Sequence, residues 1–108
     1  MGLYYNLPVY KASYDLLLEL FPAANNFSRD YRFTIGEQIK KEVLEMMKSV
    51  YRASKNFEGK KMQIGEAREK VETIRVMFRI LHDLKQVSLK KFISLNEKLE
   101  SVSKQLCL

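Results

Sequence analysis

The fold is decided by residues 64–81, which read IGEAREKVETIRVMFRIL. Apolar residues recur here three and four positions apart, the spacing of one buried stripe on a packed helix: Ile64, Ala67, Val71, Ile74, Phe78 and Leu81. Val76, Met77 and Ile80 fall on the flanking faces of the same helix. One small bundle would leave much of this second apolar surface in water, so the chain is predicted to pack against copies of itself or a partner.

Two helices are predicted before this stretch. The first runs from about Pro8 to Ala24, with proline at the first helical position, where its missing N–H costs nothing. Pro22 is expected to kink this helix or to end it early. The second opens at Thr34, which forms a predicted capping box with Glu37. It ends near residue 55.

The remaining helices complete the predicted architecture. The third spans about Ile64 to Gln86, and the fourth starts near Ser88, a residue type that caps helix N-termini. The loops are short, so neighbouring helices are antiparallel. Residues 1–108 are therefore predicted to form a single all-α domain, an antiparallel up-down-up-down four-helix bundle.

Composition limits the cellular location and the classes of partner that can be predicted for this chain. The chain has 108 residues, one cysteine (Cys107) and a formal net charge of +6. A single cysteine excludes an internal disulfide, and neither a signal peptide nor a membrane-spanning apolar run is visible. These observations predict a cytoplasmic protein with no membrane partner. The positive charge suits RNA, DNA or an acidic protein face, although proteins without such partners carry similar charge.

The sequence provides little for catalysis. His82 is the one histidine, and position 79 is arginine, so the Glu-x-x-His pairs of bundle di-iron sites are absent. His82 and Asp83 are adjacent on a helix and point about 100° apart, so they form no oriented pair. We therefore predict no enzyme activity, no cofactor and no metal. A hydrolase that uses His82 is the remote alternative.

Two groups of basic residues are candidates for binding nucleic acid or a partner protein. One lies on one side of the third helix, where Arg68, Arg75 and Arg79 flank Glu72. Guanidinium groups suit phosphates and carboxylates, although a solvated face of mixed charge is the simpler interpretation. The other surrounds the loop after the second helix, where a purely solubilising role is the alternative: Lys48, Arg52, Lys55, Lys60 and Lys61.

Aromatic residues concentrate in the connection between the first two predicted helices. Phe27, Tyr31 and Phe33 alternate there with Arg29 and Arg32. Exposed aromatic rings beside arginine can stack on nucleic-acid bases. Because buried aromatic area contributes strongly to packing, a cap over one end of the core is the favoured interpretation.

The order of several motifs resembles a known family. They are residues 7–12 (LPVYKA), 14–17 (YDLL), 29–37 (RDYRFTIGE), 50–53 (VYRA) and 75–81 (RVMFRIL). This pattern is similar to small four-helix-bundle proteins related to Avd, the accessory variability determinant of diversity-generating retroelements. Proteins encoded by intervening sequences in 23S rRNA genes, often named S23 ribosomal protein, are more distantly similar. Those carry Asn-Ile-Ala-Glu-Gly near the end of helix two, where this chain has Val50–Ser54.

The resemblance implies a function that composition cannot supply. It implies a basic homopentamer, a barrel of five bundles without catalysis of its own. The barrel would bind the retroelement reverse transcriptase and RNA or DNA during mutagenic cDNA synthesis. Arg75 and Arg79 would contribute basic surface for partner binding. The alternative is a structural or protein-interaction bundle of the 23S rRNA intervening-sequence type, with no specific nucleic-acid role.

Overall fold

The computed structural model describes residues 7–55 and 58–107, and these ranges contain helices and no strands. Four long helices are joined by short connections, and one four-residue helix lies between the first two long ones. They are α1 (Pro8–Ala24), α2 (Arg29–Arg32), α3 (Ile35–Lys55), α4 (Lys60–Asp83) and α5 (Leu89–Leu106). The predicted all-α four-helix bundle is confirmed, and α2 is an addition that the sequence did not predict.

Each long helix packs against two others. The contacts join α1 to α3, α3 to α4, α4 to α5 and α5 back to α1. Consecutive long helices are therefore neighbours, while α1 lies diagonally opposite α4. This arrangement makes a bundle of about 43 × 22 × 20 Å whose outer surfaces on α1 and α4 face in opposite directions.

The core contains the stripe that the sequence predicts on α4. Its residues from Ala67 to Leu81 at the predicted spacing are almost completely buried, and Phe78 is the largest of the fully buried side chains. Met77 was expected on a flanking face, but only 8% of it is exposed. It lies two turns after Lys70, whose Nζ contacts Glu42 of α3 at 2.7 Å. Met77 therefore faces α3, which α4 contacts most extensively.

The C-terminal end of α4 differs from its predicted position. The helix ends at Asp83, and the backbone N–H groups of Lys85 and Gln86 donate to the carbonyl oxygens of His82 and Leu81 at 2.9 and 2.8 Å. Lys85 has φ 61°, the left-handed conformation that closes such a turn. Glycine usually occupies this position. Because a lysine occupies it here, composition carried no signal for the end of the helix.

Of the two predicted helix N-terminal caps, one is confirmed and one is wrong. The predicted Ser88 cap is confirmed, since its Oγ accepts a hydrogen bond from the backbone N–H of Lys91 at 3.1 Å. The capping box at Thr34 was wrong: this hydroxyl donates to the carbonyl oxygen of Asp30 at 2.9 Å, within the turn made by α2. Pro22 does not end α1, which continues to residue 24.

A largely buried carboxylate joins α1 to α5. Glu19 Oε1 accepts hydrogen bonds from Lys98 Nζ at 2.6 Å and from Ser94 Oγ at 2.8 Å, and its Oε2 lies 3.2 Å from Lys91 Nζ. Burial alone would raise the pKa of Glu19. The hydrogen bonds from Lys98, Ser94 and Lys91 outweigh that effect and hold its pKa below the ordinary value of 4.5.

This carboxylate is expected to make stability depend on pH. A lowered pKa in the folded state contributes stability that is complete above the ordinary value of 4.5 and is lost as the pH falls through the folded-state pKa. Replacing Glu19 with glutamine should therefore lower the free energy of unfolding by about 2 kcal/mol at neutral pH and much less in acid. Urea unfolding at several pH values measures this, with exposed Glu97→Gln as the control. An equal loss at every pH would contradict the assignment.

Candidate nucleic-acid and partner interface

The three arginines predicted on the third helix lie on α4, and carboxylates accompany two of them, Arg75 and Arg79. Arg75 contacts Glu72 of its own helix at 3.2 Å and Glu100 of α5. Arg79 Nε lies 3.2 Å from Asp83 Oδ2, one turn along α4. The positive charge that the sequence assigned to this stripe is therefore largely neutralised within the subunit.

These two arginines nevertheless differ in how readily they could meet a partner. Arg75 is half-buried and bridges two helices, so it stabilises the α4–α5 contact. Arg79 is exposed, and its ion pair with Asp83 is of the surface type that contributes about 0–1 kcal/mol. A phosphate or carboxylate could replace that partner at little cost. Arg68 lies further along the same side, in a shallow groove between α4 and α5 that also includes Ser103.

The second group of basic residues, which we call the loop patch, lies at one end of the bundle, where α3 ends and α4 begins. Its predicted members are Lys48, Arg52, Lys55, Lys60 and Lys61. Lys60 and Lys61 are exposed in the first turn of α4, and Arg52 is exposed in the last turns of α3. Within residues 7–55 and 58–107, none of these three forms an ion pair. Their charge is available to a phosphate, unlike that of Arg75.

The other two members of the predicted loop patch have partners. Lys55 Nζ lies 3.1 Å from the hydroxyl oxygen of Tyr51 and 5.3 Å from the centroid of its ring. Lys48 lies more than a turn before Arg52, with its Nζ 3.5 Å from Glu45 Oε1. The patch is thus smaller than the sequence suggested, and it centres on the start of α4.

The aromatic residues near α2 divide between the core and the surface. Phe27 is 2% exposed and caps the core as expected. A Cβ at Gly36 would lie 3.2 Å from its ring and 3.0 Å from the Tyr31 carbonyl oxygen, so the glycine permits this close packing. Phe33, in contrast, is 65% exposed, with the guanidinium carbon of Arg32 5.2 Å from its ring centroid. The predicted cap is correct for Phe27 and wrong for Phe33.

His82 lies at the contact between α4 and α5. Its ring stacks on Phe92 with 4.6 Å between the centroids, and its Nδ1 lies 3.8 Å from Asp83 Oδ1. In the part of the chain that the structure describes, no three His, Cys, Asp or Glu side chains are grouped so that they could hold a metal ion. His82 therefore packs between α4 and α5 through its contact with Phe92.

Among the described residues, two of the exposed apolar surfaces are large enough to define as faces. The first apolar face consists of Tyr14 and Leu18 of α1 with Leu44 of α3, which are between 42% and 51% exposed. The second apolar face runs along α4 to the residue just after its end, at intervals of four residues, and is between 37% and 60% exposed: Val76, Ile80 and Leu84. The first apolar face thus involves α1 and α3 and the second involves α4, so they are different surfaces of the same subunit.

These features define a class of protein: a basic antiparallel four-helix bundle that exposes two apolar faces. A family model described as bAvd-like matches residues 9–107, almost the whole chain. The protein therefore belongs to the bAvd-like family, which indicates an accessory role. Comparisons with curated proteins and with solved structures found no match. Among the described residues, none of the helices has the length and apolar character to cross a membrane.

Proposed function

We propose that this protein is a non-catalytic, oligomeric accessory protein of the cytoplasm. It binds the reverse transcriptase of a diversity-generating retroelement together with the RNA template or the cDNA. The observation that carries this proposal is the bAvd-like match over residues 9–107. The resemblance of the chain to Avd-related proteins supplies the polymerase and the nucleic acid as partners.

Self-association is the first part of the proposal, and the two apolar faces support it. A ring needs two different surfaces on each subunit, because every copy meets one neighbour on each side. Leu18 and Leu44 form one such surface, and Val76 and Ile80 form a second. Two unlike surfaces favour a head-to-tail contact, and the resemblance suggests that it closes into a ring of five subunits.

Nucleic-acid binding is the second part, and the free charges support it. Arg52, Lys60 and Lys61 have no carboxylate partner among the described residues, and Arg79 can exchange a weak one. Each subunit adds a net charge of +6 to the assembly. Such a surface attracts a polyanion, and the affinity should then fall steeply with salt because bound cations are displaced.

This part is tested by the salt dependence of binding to single-stranded RNA and DNA. Log affinity falls with log salt concentration, and replacing Lys60 and Lys61 with glutamine should make that slope less steep by about 1.4, or about 0.7 for each lost phosphate contact. Lys11→Gln with Lys41→Gln removes the same charge from α1 and α3 and should change the slope less. Equal effects of both pairs would argue against this patch. A parent that fails to bind near 0.15 M salt would instead favour a purely structural or protein-interaction bundle.

The polymerase partner is tested most directly by the surroundings of the gene. A reverse transcriptase gene and a template repeat beside it are the expected finding. A position inside a 23S rRNA gene would contradict the retroelement role and favour the structural bundle. The predicted partner residues for the polymerase are Arg79 with Arg75 and Arg68, which share one side of α4.

A further inference from the structure

The end of the bundle opposite the loop patch brings two separate turns together. The backbone N–H of Ser28, just before α2, donates to Gln86 Oε1 in the turn between α4 and α5 at 2.7 Å. Gln86 Nε2 donates in turn to the carbonyl oxygen of Leu84 at 2.9 Å. This bond brings the backbone next to Arg29 close to the turn that contains Lys85. We call the group of Arg29, Arg32, Phe33, Lys85 and Lys90, which lie in or beside these two turns, the α2 end.

The α2 end carries an excess of positive charge, with four unpaired cations and one carboxylate, Asp30. Residues 25–34 contain two arginines and one aspartate, and residues 82–91 contain three lysines and one aspartate. Asp83 already pairs with Arg79, and Lys91 already pairs with Glu19. Within the described ranges, no carboxylate pairs with the remaining cations: Arg29, Arg32, Lys85 and Lys90.

Phe33 adds a stacking surface to this charge. It is the most exposed large apolar residue in the described part of the chain, at 65%. The guanidinium of Arg32 lies against its ring, and the buried Nε of Arg32 has no hydrogen-bond partner. Arginine held over an aromatic ring is a favourable cation–π arrangement, and the exposed part of the ring can still stack on a second flat group.

We propose that the α2 end binds an unpaired nucleotide of single-stranded RNA or DNA. Phe33 stacks on the base, while Arg29, Lys85 and Lys90 contact the flanking phosphates. A base in a duplex is already stacked on both sides, so only a single strand can use Phe33 in this way. An acidic peptide would use the cations but would leave the ring without a flat partner. The assignment rests on the proposed nucleic-acid role and gives it a second, base-contacting site.

Fluorescence anisotropy with two short single strands tests the assignment, one with bases and one abasic along its length. Phe33→Ala should weaken binding of the base-containing strand about tenfold, the typical loss when one stacking ring is removed. Phe33→Tyr keeps a flat ring and should bind like the parent. Met62→Ala is the matched control, because Met62 is 62% exposed at the other end of the bundle. Parent and Phe33→Ala should bind the abasic strand equally.

The outcomes separate this site from the wider function. If Phe33→Ala binds the base-containing strand as tightly as the parent does, the stacking site is wrong and the proposed function stands. If Phe33→Ala weakens both strands equally, the ring does not contact bases and the assignment fails. A parent that binds neither strand overturns both proposals. Competition by polyglutamate as strong as that by the base-containing strand would identify an acidic protein as the occupant and would also overturn the assignment.

Discussion

Replacing Phe78 with alanine is expected to lower the free energy of unfolding by about 3–5 kcal/mol. Phe78 is completely buried and belongs to the core cluster that includes residues of all four long helices. Its removal exchanges a large apolar side chain for a cavity that the surrounding helices can fill only in part. Natural domains are stable by about 5–15 kcal/mol, so a loss of this size removes a large part of the total stability.

Urea unfolding followed by circular dichroism measures this loss, at one protein concentration because association also contributes to stability. Met62→Ala is the control on the same helix, since Met62 is 62% exposed and its truncation should change stability by no more than about 0.5 kcal/mol. A loss below about 1 kcal/mol for Phe78→Ala would show that α4 does not present this stripe to the core.

Assembly should be lost completely when charged side chains replace apolar residues in either of the two apolar faces. Lysines at Leu18 and Leu44 alter the first apolar face, and lysines at Val76 and Ile80 alter the second. Each double variant is expected to remain a folded single subunit of 12.7 kDa, because burying an unpaired ammonium costs more than the contact provides. An equimolar mixture of the two should form a complex of two subunits, since each variant retains the face that its partner needs.

Native mass spectrometry distinguishes the possible outcomes. Leu89→Lys with Ile93→Lys is the matched control, because these α5 residues are exposed but belong to neither face, and assembly should persist. If the contact were instead self-complementary, one double variant would assemble like the parent and mixing would produce nothing new. A parent chain that remains a single subunit at micromolar concentration would contradict self-association altogether.

Helix positions were predictable where the signal is local. The bounds of α1, the end of α3 and the Ser88 cap follow from spacing and residue type within a few turns. The end of α4 was not predictable, because Lys85 occupies a left-handed position without glycine. Met77 was misplaced for a different reason: its burial depends on how closely α3 approaches α4, which no residue of α4 reveals.

The candidate interface was predictable only as a set of basic residues. Residue type and position in the sequence do not distinguish Arg75 from Lys60 as binding residues, and only the folded chain does so. Glu100 pairs with Arg75 from another helix, 25 residues further along the chain. No carboxylate of the described residues pairs with Lys60. The sequence likewise treated Phe27 and Phe33 alike, and the close approach at Gly36 separates them by burying one ring.

The sequence by itself determined that this chain is a basic four-helix bundle with more apolar surface than its own core can use. Helical periodicity is a local property, and each segment carries its own stripe. Only the tertiary structure decided which charges remain free, which aromatic ring stays in solvent, and which apolar residues remain uncovered. Those features depend on the rotation and axial position of each helix relative to its neighbours, which the packing of all four helices sets together.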